Sequence, residues 1–122
     1  MNPTSLRIAV LNSLLFIRDS SIEDIPEIDG NGAVWSTRSC IAVSCLPDCE
    51  GETEVAIGVG EDVALRGIPL LDGYLHTPSR SIVVESVTRE RLLAVPLSRA
   101  NTRVRIWTNG HRATNRVVIG LD

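Results

Sequence analysis

The second half of the chain is a succession of short apolar runs, each only a handful of residues long and each broken by Pro, Gly, Asn or Ser. The runs are Val55 to Val59, Leu70 to Thr77, Arg80 to Val87, Leu92 to Leu97, Thr102 to Thr108 and Arg116 to Leu121. They are rich in Val and Ile, and no helical periodicity separates them. That pattern fits a sandwich or barrel rather than a βαβ unit. A chain of 122 residues has room for one two-layer core and not for two. The expectation is therefore a single all-β domain over residues 1–122, an antiparallel β-sandwich of about seven to nine strands. Aromatic residues make up only 3% of the chain, so its interior must rest on Val, Ile, Leu and Ala, which suits packing between two sheets.

The first half is less regular. Leu6 to Ile17 reads as one buried strand, with Leu6, Ile8, Val10, Leu14 and Phe16 on one face and Leu11, Leu15 and Ile17 on the other. Asp19 to Gly32 is an acidic loop punctuated by Pro26, Gly30 and Gly32, with room for one helical turn begun at Ser20 or Ser21. Ala33 to Leu46 has strand character again, and Pro47 to Gly51 supplies a turn that predicts a hairpin with Glu52 to Val59. Val63 to Ile68 is too short and mixed to classify. The apolar stretch Ile8 to Ile17 is interrupted by Asn12 and Ser13 and followed by Arg18-Asp19, unlike a signal peptide, and it is too short to span a bilayer. No membrane association is expected, and the cytoplasm is the expected compartment.

All twelve basic residues are Arg. Arg favours bidentate contacts with carboxylate or phosphate, although uniform use of one basic residue is also a mark of genome composition. The net charge of −3 hides a division: residues 1–62 carry three Arg and eleven acids, a net of −8, and residues 63–122 carry nine Arg and four acids, a net of +5. Two acidic segments, Asp19 to Asp29 and Asp48 to Glu54, offer Asp24, Glu27, Asp29, Glu50 and Glu52 as candidate contacts for a basic partner. A sequence pI of 5.3 weighs against nucleic acid as a partner.

Signals for catalysis or metal binding are weak. Cys40, Cys45 and Cys49 lie close in sequence, but alternation along a strand sends Cys40 and Cys45 to opposite faces. No CxxC pair or matching His completes a zinc set. Cys45 reads as a buried thiol beside Ile41 and Val43, and Cys49 as exposed in its turn. Glu27 to Gly32 faintly resembles a calcium loop, but Arg38 stands where the bidentate Glu belongs. Gly58-Val59-Gly60 lacks the third glycine and the following helix of a phosphate-binding turn. No cofactor and no metal are expected. His76 and His111 are the only candidate general bases, so a small hydrolase or isomerase is the catalytic alternative.

Arg103, Arg105 and Trp107 alternate with Val104 and Ile106, which places two guanidiniums and an indole on the face away from the core. One reading is sheet-surface packing, with Arg105 stacked on Trp107 or paired across strands with Glu85. The other is an exposed anchor for a partner, since Trp and Arg dominate interface hot spots. A homo-oligomer burying Trp107 and the edge strands between copies is the third functional class.

The stretch Asp72-Gly73-Tyr74-Leu75-His76-Thr77-Pro78-Ser79-Arg80 leads into Ser81-Ile82-Val83-Val84. Leu93 to Leu97 follows, and then Thr102-Arg103-Val104-Arg105-Ile106-Trp107-Thr108. In this order they resemble the bacterial competence nuclease-inhibitor family, small β-sandwich proteins with a Trp-Thr strand before the last hairpin. The resemblance covers residues 70–121 and rests on strand order and turn residues. It implies a β-sandwich that works without catalysis, an inhibitor-like protein-binding or regulatory module whose acidic segments meet a basic partner. It transfers no functional residue, and the acidic loop and the cysteines have no counterpart in it.

Overall fold

The computed structural model describes residues 3–30, 32–63, 67–110 and 113–122. Ten strands are present among them, one more than the upper end of the expected range: β1 (Thr4–Ile8), β2 (Leu14–Asp19), β3 (Val34–Ser36), β4 (Cys40–Ser44), β5 (Thr53–Val59), β6 (Leu71–His76), β7 (Ser81–Glu85), β8 (Arg91–Pro96), β9 (Asn101–Thr108) and β10 (Arg116–Leu121). They form two five-stranded sheets, ordered β1-β5-β10-β9-β6 and β3-β4-β2-β7-β8. Within the sheets every pairing is antiparallel except one, since β10 enters between β5 and β9 and runs parallel to β5, with Ile119 opposite Ile57.

The inner faces enclose one aliphatic core. Val55, Ile57, Leu75, Val104, Ile106, Val117, Ile119 and Leu121 meet Leu15, Ile17, Ile41, Val43, Ile82, Val84 and Val95 from the opposite sheet. Burying each such side chain contributes about 1.5–3 kcal/mol, so the β-branched runs account for both the fold and its interior.

Three expectations for the first half are corrected. Leu6 to Ile17 is two strands in different sheets. A 3-10 turn at Leu11–Ser13, with Asn12 and Ser13 at φ 53° and 59°, breaks the run. Non-glycine residues occupy that left-handed region only where the chain must reverse its course. The break changes the side-chain parity, so Leu15 and Ile17 face the core while Phe16 points outward. Next, β4 does not form a hairpin with β5; it pairs with β3 and β2, and the chain crosses to the other sheet through a 3-10 turn at Asp48–Glu50. Finally, no helical turn begins at Ser20 or Ser21. The Asp19 carboxylate accepts hydrogen bonds from the Ser21 amide (2.8 Å) and hydroxyl (2.6 Å), folding these residues into a local turn instead.

One short helix, α1 (Gly60–Val63), lies on the outer face of the first sheet against β5 and β10. Residues 64–66, within the stretch that resisted classification, are outside the described residues, as is His111. No helix among the described residues is long and apolar enough to cross a membrane.

Candidate functional site

The acidic loop after β2 is fastened across the outer face of the second sheet. That face carries a small apolar cluster of Phe16, Cys40 and Ala42, onto which Ile25, Trp35 and Val87 pack. Beside it Arg18 and Glu85, both almost fully buried, form a two-point ion pair: Nε donates to Oε1 at 2.6 Å and Nη2 to Oε2 at 3.2 Å. The remaining arm of the guanidinium, Nη1, donates to the carbonyls of Asp19 (2.9 Å) and Ile22 (3.0 Å). One cation thus ties the loop to the sheet. Arg89, at φ 67°, adds a bridge at 3.1 Å to Glu23 and one at 3.7 Å to Glu85. Further along, the Thr37 hydroxyl donates to the Asp24 carbonyl at 2.8 Å.

Asp19 is the third fixed point. Burial works against its charge, but hydrogen bonds from Ser21 and from the Ser79 amide (3.0 Å) and hydroxyl (2.8 Å) outweigh that cost and hold its carboxyl below the ordinary Asp value. The loop is therefore joined to the β6–β7 turn as well. With Asp19 used internally, Asp24, Glu27 and Asp29 remain exposed.

The second acidic segment comes to the same end of the sandwich as Asp29. The 3-10 turns Leu11–Ser13 and Asp48–Glu50 lie against each other, and Asp29 borders a cavity of about 290 Å³ whose wall also includes Asn12, Ser13 and Trp35. Asp48, Glu50 and Glu52 are exposed. Among the described residues, Asp24, Glu27, Asp48, Glu50 and Glu52 take part in no salt bridge, whereas Glu54 is bridged to both Arg7 and Arg116 at 3.5 Å. The acids named from sequence thus fall into Asp29, Glu50 and Glu52 around the two turns, with Asp24 and Glu27 further back along the loop.

The Arg103, Arg105 and Trp107 stripe is engaged within the chain. Arg103 grips Asp72 with Nε and Nη2 at 3.0 and 2.9 Å, which holds the Asp72 carboxyl below its usual range. Arg105 donates to Asp122 at 2.7 Å and sits 5.4 Å from the Trp107 ring centroid, so the expected stacking is present. Glu85 is not its partner; that carboxylate belongs to the other sheet and to Arg18. Trp107 itself is only 6% exposed. Its ring packs beside Gly120, coming within 3.1 Å of where a side chain there would start, and the same glycine lets Gly60 of α1 approach the sheet as closely.

Cys40 and Cys45 are buried on opposite faces and Cys49 is exposed, all as free thiols. Burial pushes both buried thiols up to about 12. His76 is half-buried near the end of β6, and among the described residues its imidazole has no carboxylate or hydroxyl partner. No group of three His, Cys, Asp or Glu able to hold a metal converges among the described residues.

The residues that sequence reasoning missed are Arg18 and Glu85. Each ends a run of apolar strand residues, Leu14 to Ile17 and Ile82 to Val84. A charge closing such a run is a signal of buried pairing, but nothing local links two positions 67 residues apart.

The arrangement of the ten strands also occurs in a solved structure, that of ComJ, inhibitor of the DNA degrading activity of NucA, from Bacillus subtilis. The two share a TM-score of 0.70 over 99% of this chain and 94% of that one. The fold is ComJ-like. Sequence identity to ComJ is 11%, so the likeness is one of architecture. The resemblance read from residues 70–121 extends in three dimensions over nearly the whole chain. No protein-family model and no curated protein matches the chain in sequence.

Proposed function

We propose that this protein is a non-catalytic, inhibitor-like module that binds a basic protein through its two acidic segments. The observation carrying this reading is the Arg18–Glu85 clamp, which spends a buried ion pair on holding an acidic loop in one conformation. Ordering a loop before binding removes that entropy cost from association, and unpaired surface carboxylates steer a cationic partner toward it. ComJ, with the same architecture, inhibits a DNA-degrading activity. An enzyme that acts on DNA must present cations to a polyanion, and a fixed acidic surface is complementary to such a partner. The Arg-Trp stripe supports the same choice by default, because its guanidiniums already have carboxylates.

The test begins with capture of the partner from cells of the source organism, using the full chain as bait. Affinity is then measured for the wild type and for Asp24→Asn/Glu27→Gln/Glu50→Gln/Glu52→Gln at 0.05 and 0.3 M salt. Binding that weakens at least tenfold with salt, and as much with the neutralised variant at low salt, supports the reading. Affinity indifferent to both removes it.

A further inference from the structure

At the far end of β5 from the acidic turns, the two sheets splay and leave a cleft of about 390 Å³. Its walls are Val59 and Leu121 from one sheet, Pro96 at the end of β8 in the other, and Leu97, Ser98 and Arg99 on the loop that follows. The volume falls at the small end of the range of about 300–1,000 Å³ typical of small-molecule sites.

Both walls are fastened. Thr77, fully buried, donates its amide to the Ala100 carbonyl at 2.7 Å and its hydroxyl to the Arg99 carbonyl at 2.9 Å, while Leu97 donates its amide to the Arg80 carbonyl at 2.8 Å. The loop is therefore fixed in place, with Leu97 packed against the edge of the core. Opposite, Asp122 is fixed by backbone hydrogen bonds with Arg103 and by the Arg105 guanidinium. That contact neutralises the one carboxylate side chain in the lining. Arg99 is exposed and, among the described residues, has no carboxylate partner. An apolar slot already open, with one uncompensated cation at its edge, matches a ligand with an aliphatic tail and an anionic head.

We propose that this cleft binds a medium-chain aliphatic carboxylate, its chain between Val59, Leu97 and Leu121 and its head against Arg99. The site is independent of the acidic surface, so the two proposals stand or fall separately.

Decanoate is the probe, followed on the full chain by calorimetry and by displacement of 8-anilinonaphthalene-1-sulfonate. One saturable site is expected. Arg99→Gln weakens decanoate roughly two- to fivefold, the size of an exposed ion pair, and leaves decanol unchanged. Leu97→Trp, which fills the slot, abolishes both; Ser98→Trp, at an exposed position, does the same if the larger core change fails to fold. Absence of saturable binding to the native wild type overturns the proposal. So does binding that survives the filling substitutions in proteins that melt like the wild type, or an equal loss of decanol in Arg99→Gln. Retention of decanoate by the neutralised acidic variant separates this site from the partner surface.

Discussion

Replacing Glu85 with Gln keeps the shape of the side chain and removes half of the clamp. The amide has one acceptor oxygen where the carboxylate offered two, and its NH2 group must face a guanidinium N–H in a site with only 1% exposure. Arg18 is then a buried cation without a counter-ion. Losing one member of a buried pair costs about 3–5 kcal/mol, a large part of the roughly 5–15 kcal/mol by which a domain is stable. With a urea dependence of about 1–3 kcal/mol per molar, the unfolding midpoint falls by about 1–5 M. The double variant Arg18→Met/Glu85→Leu removes both charges together and recovers most of the loss, because an apolar pair of similar volume is often as stable as the ion pair it replaces. It does not recover the hold on the loop, since the carbonyls of Asp19 and Ile22 lose their Arg18 donor in the double variant and keep it in Glu85→Gln. Amide hydrogen exchange over residues 20–28 therefore quickens in the double variant even though its global stability is close to that of the wild type. A Glu85→Gln unfolding free energy within about 0.5 kcal/mol of wild type, the range of ordinary surface changes, or unchanged loop exchange in the double variant, refutes the clamp.

Three further outcomes follow from the same contacts. Asp19 has a folded-state value below its unfolded one, so its contribution is present above the unfolded value near 3.9 and is lost as pH falls through the folded value; urea stability measured from pH 6 down to pH 2 declines through that window, and Asp19→Asn flattens this part of the profile. Gly120→Ala places a methyl group 3.1 Å from both the Gly60 backbone and the Trp107 ring, an overpacking that costs about 1–3 kcal/mol, whereas Gly73→Ala meets nothing within 4 Å and melts at or above the wild-type temperature. A thiol reagent at neutral pH modifies Cys49 alone in the folded protein and all three cysteines in denaturant, because Cys40 and Cys45 are buried and remain protonated.

How far the fold could be read from residues depended on whether a strand stayed in its sheet neighbourhood. From Leu71 onward the chain alternates strand and turn, each turn carries its own Pro, Gly, Asn or Ser signal, and the observed strands lie within a residue or two of the apolar runs. In the first half the decisive events are crossings between layers. Asn12 and Ser13 in left-handed conformations carry the chain from one sheet to the other inside what looks like one continuous run. Likewise Pro47 to Gly51 reads as a hairpin turn but passes β4 and β5 to different layers. A local turn signal says that the chain reverses, and it does not say which sheet receives the next strand; that is decided by which apolar face remains uncovered after the others have packed.

The same distinction separates the legible and illegible parts of the surface. Exposed carboxylates in a Gly- and Pro-rich loop are visible in sequence because solvation is a local property of the residue. Whether the loop holds one shape is not, because the carboxylate that completes the clamp is Glu85, 67 residues from Arg18 and brought into place only when β7 pairs with β2. Trp107 illustrates the reverse error. It lies on the outward face, yet outward on a strand does not mean exposed: Trp107 is 6% exposed, its ring packed beside Gly120 and under the Arg105 guanidinium. Acidity alone would give weak, salt-screened attraction. A carboxylate surface held by a buried clamp gives a geometry as well as a charge, and only geometry lets a binding protein discriminate one basic partner from another.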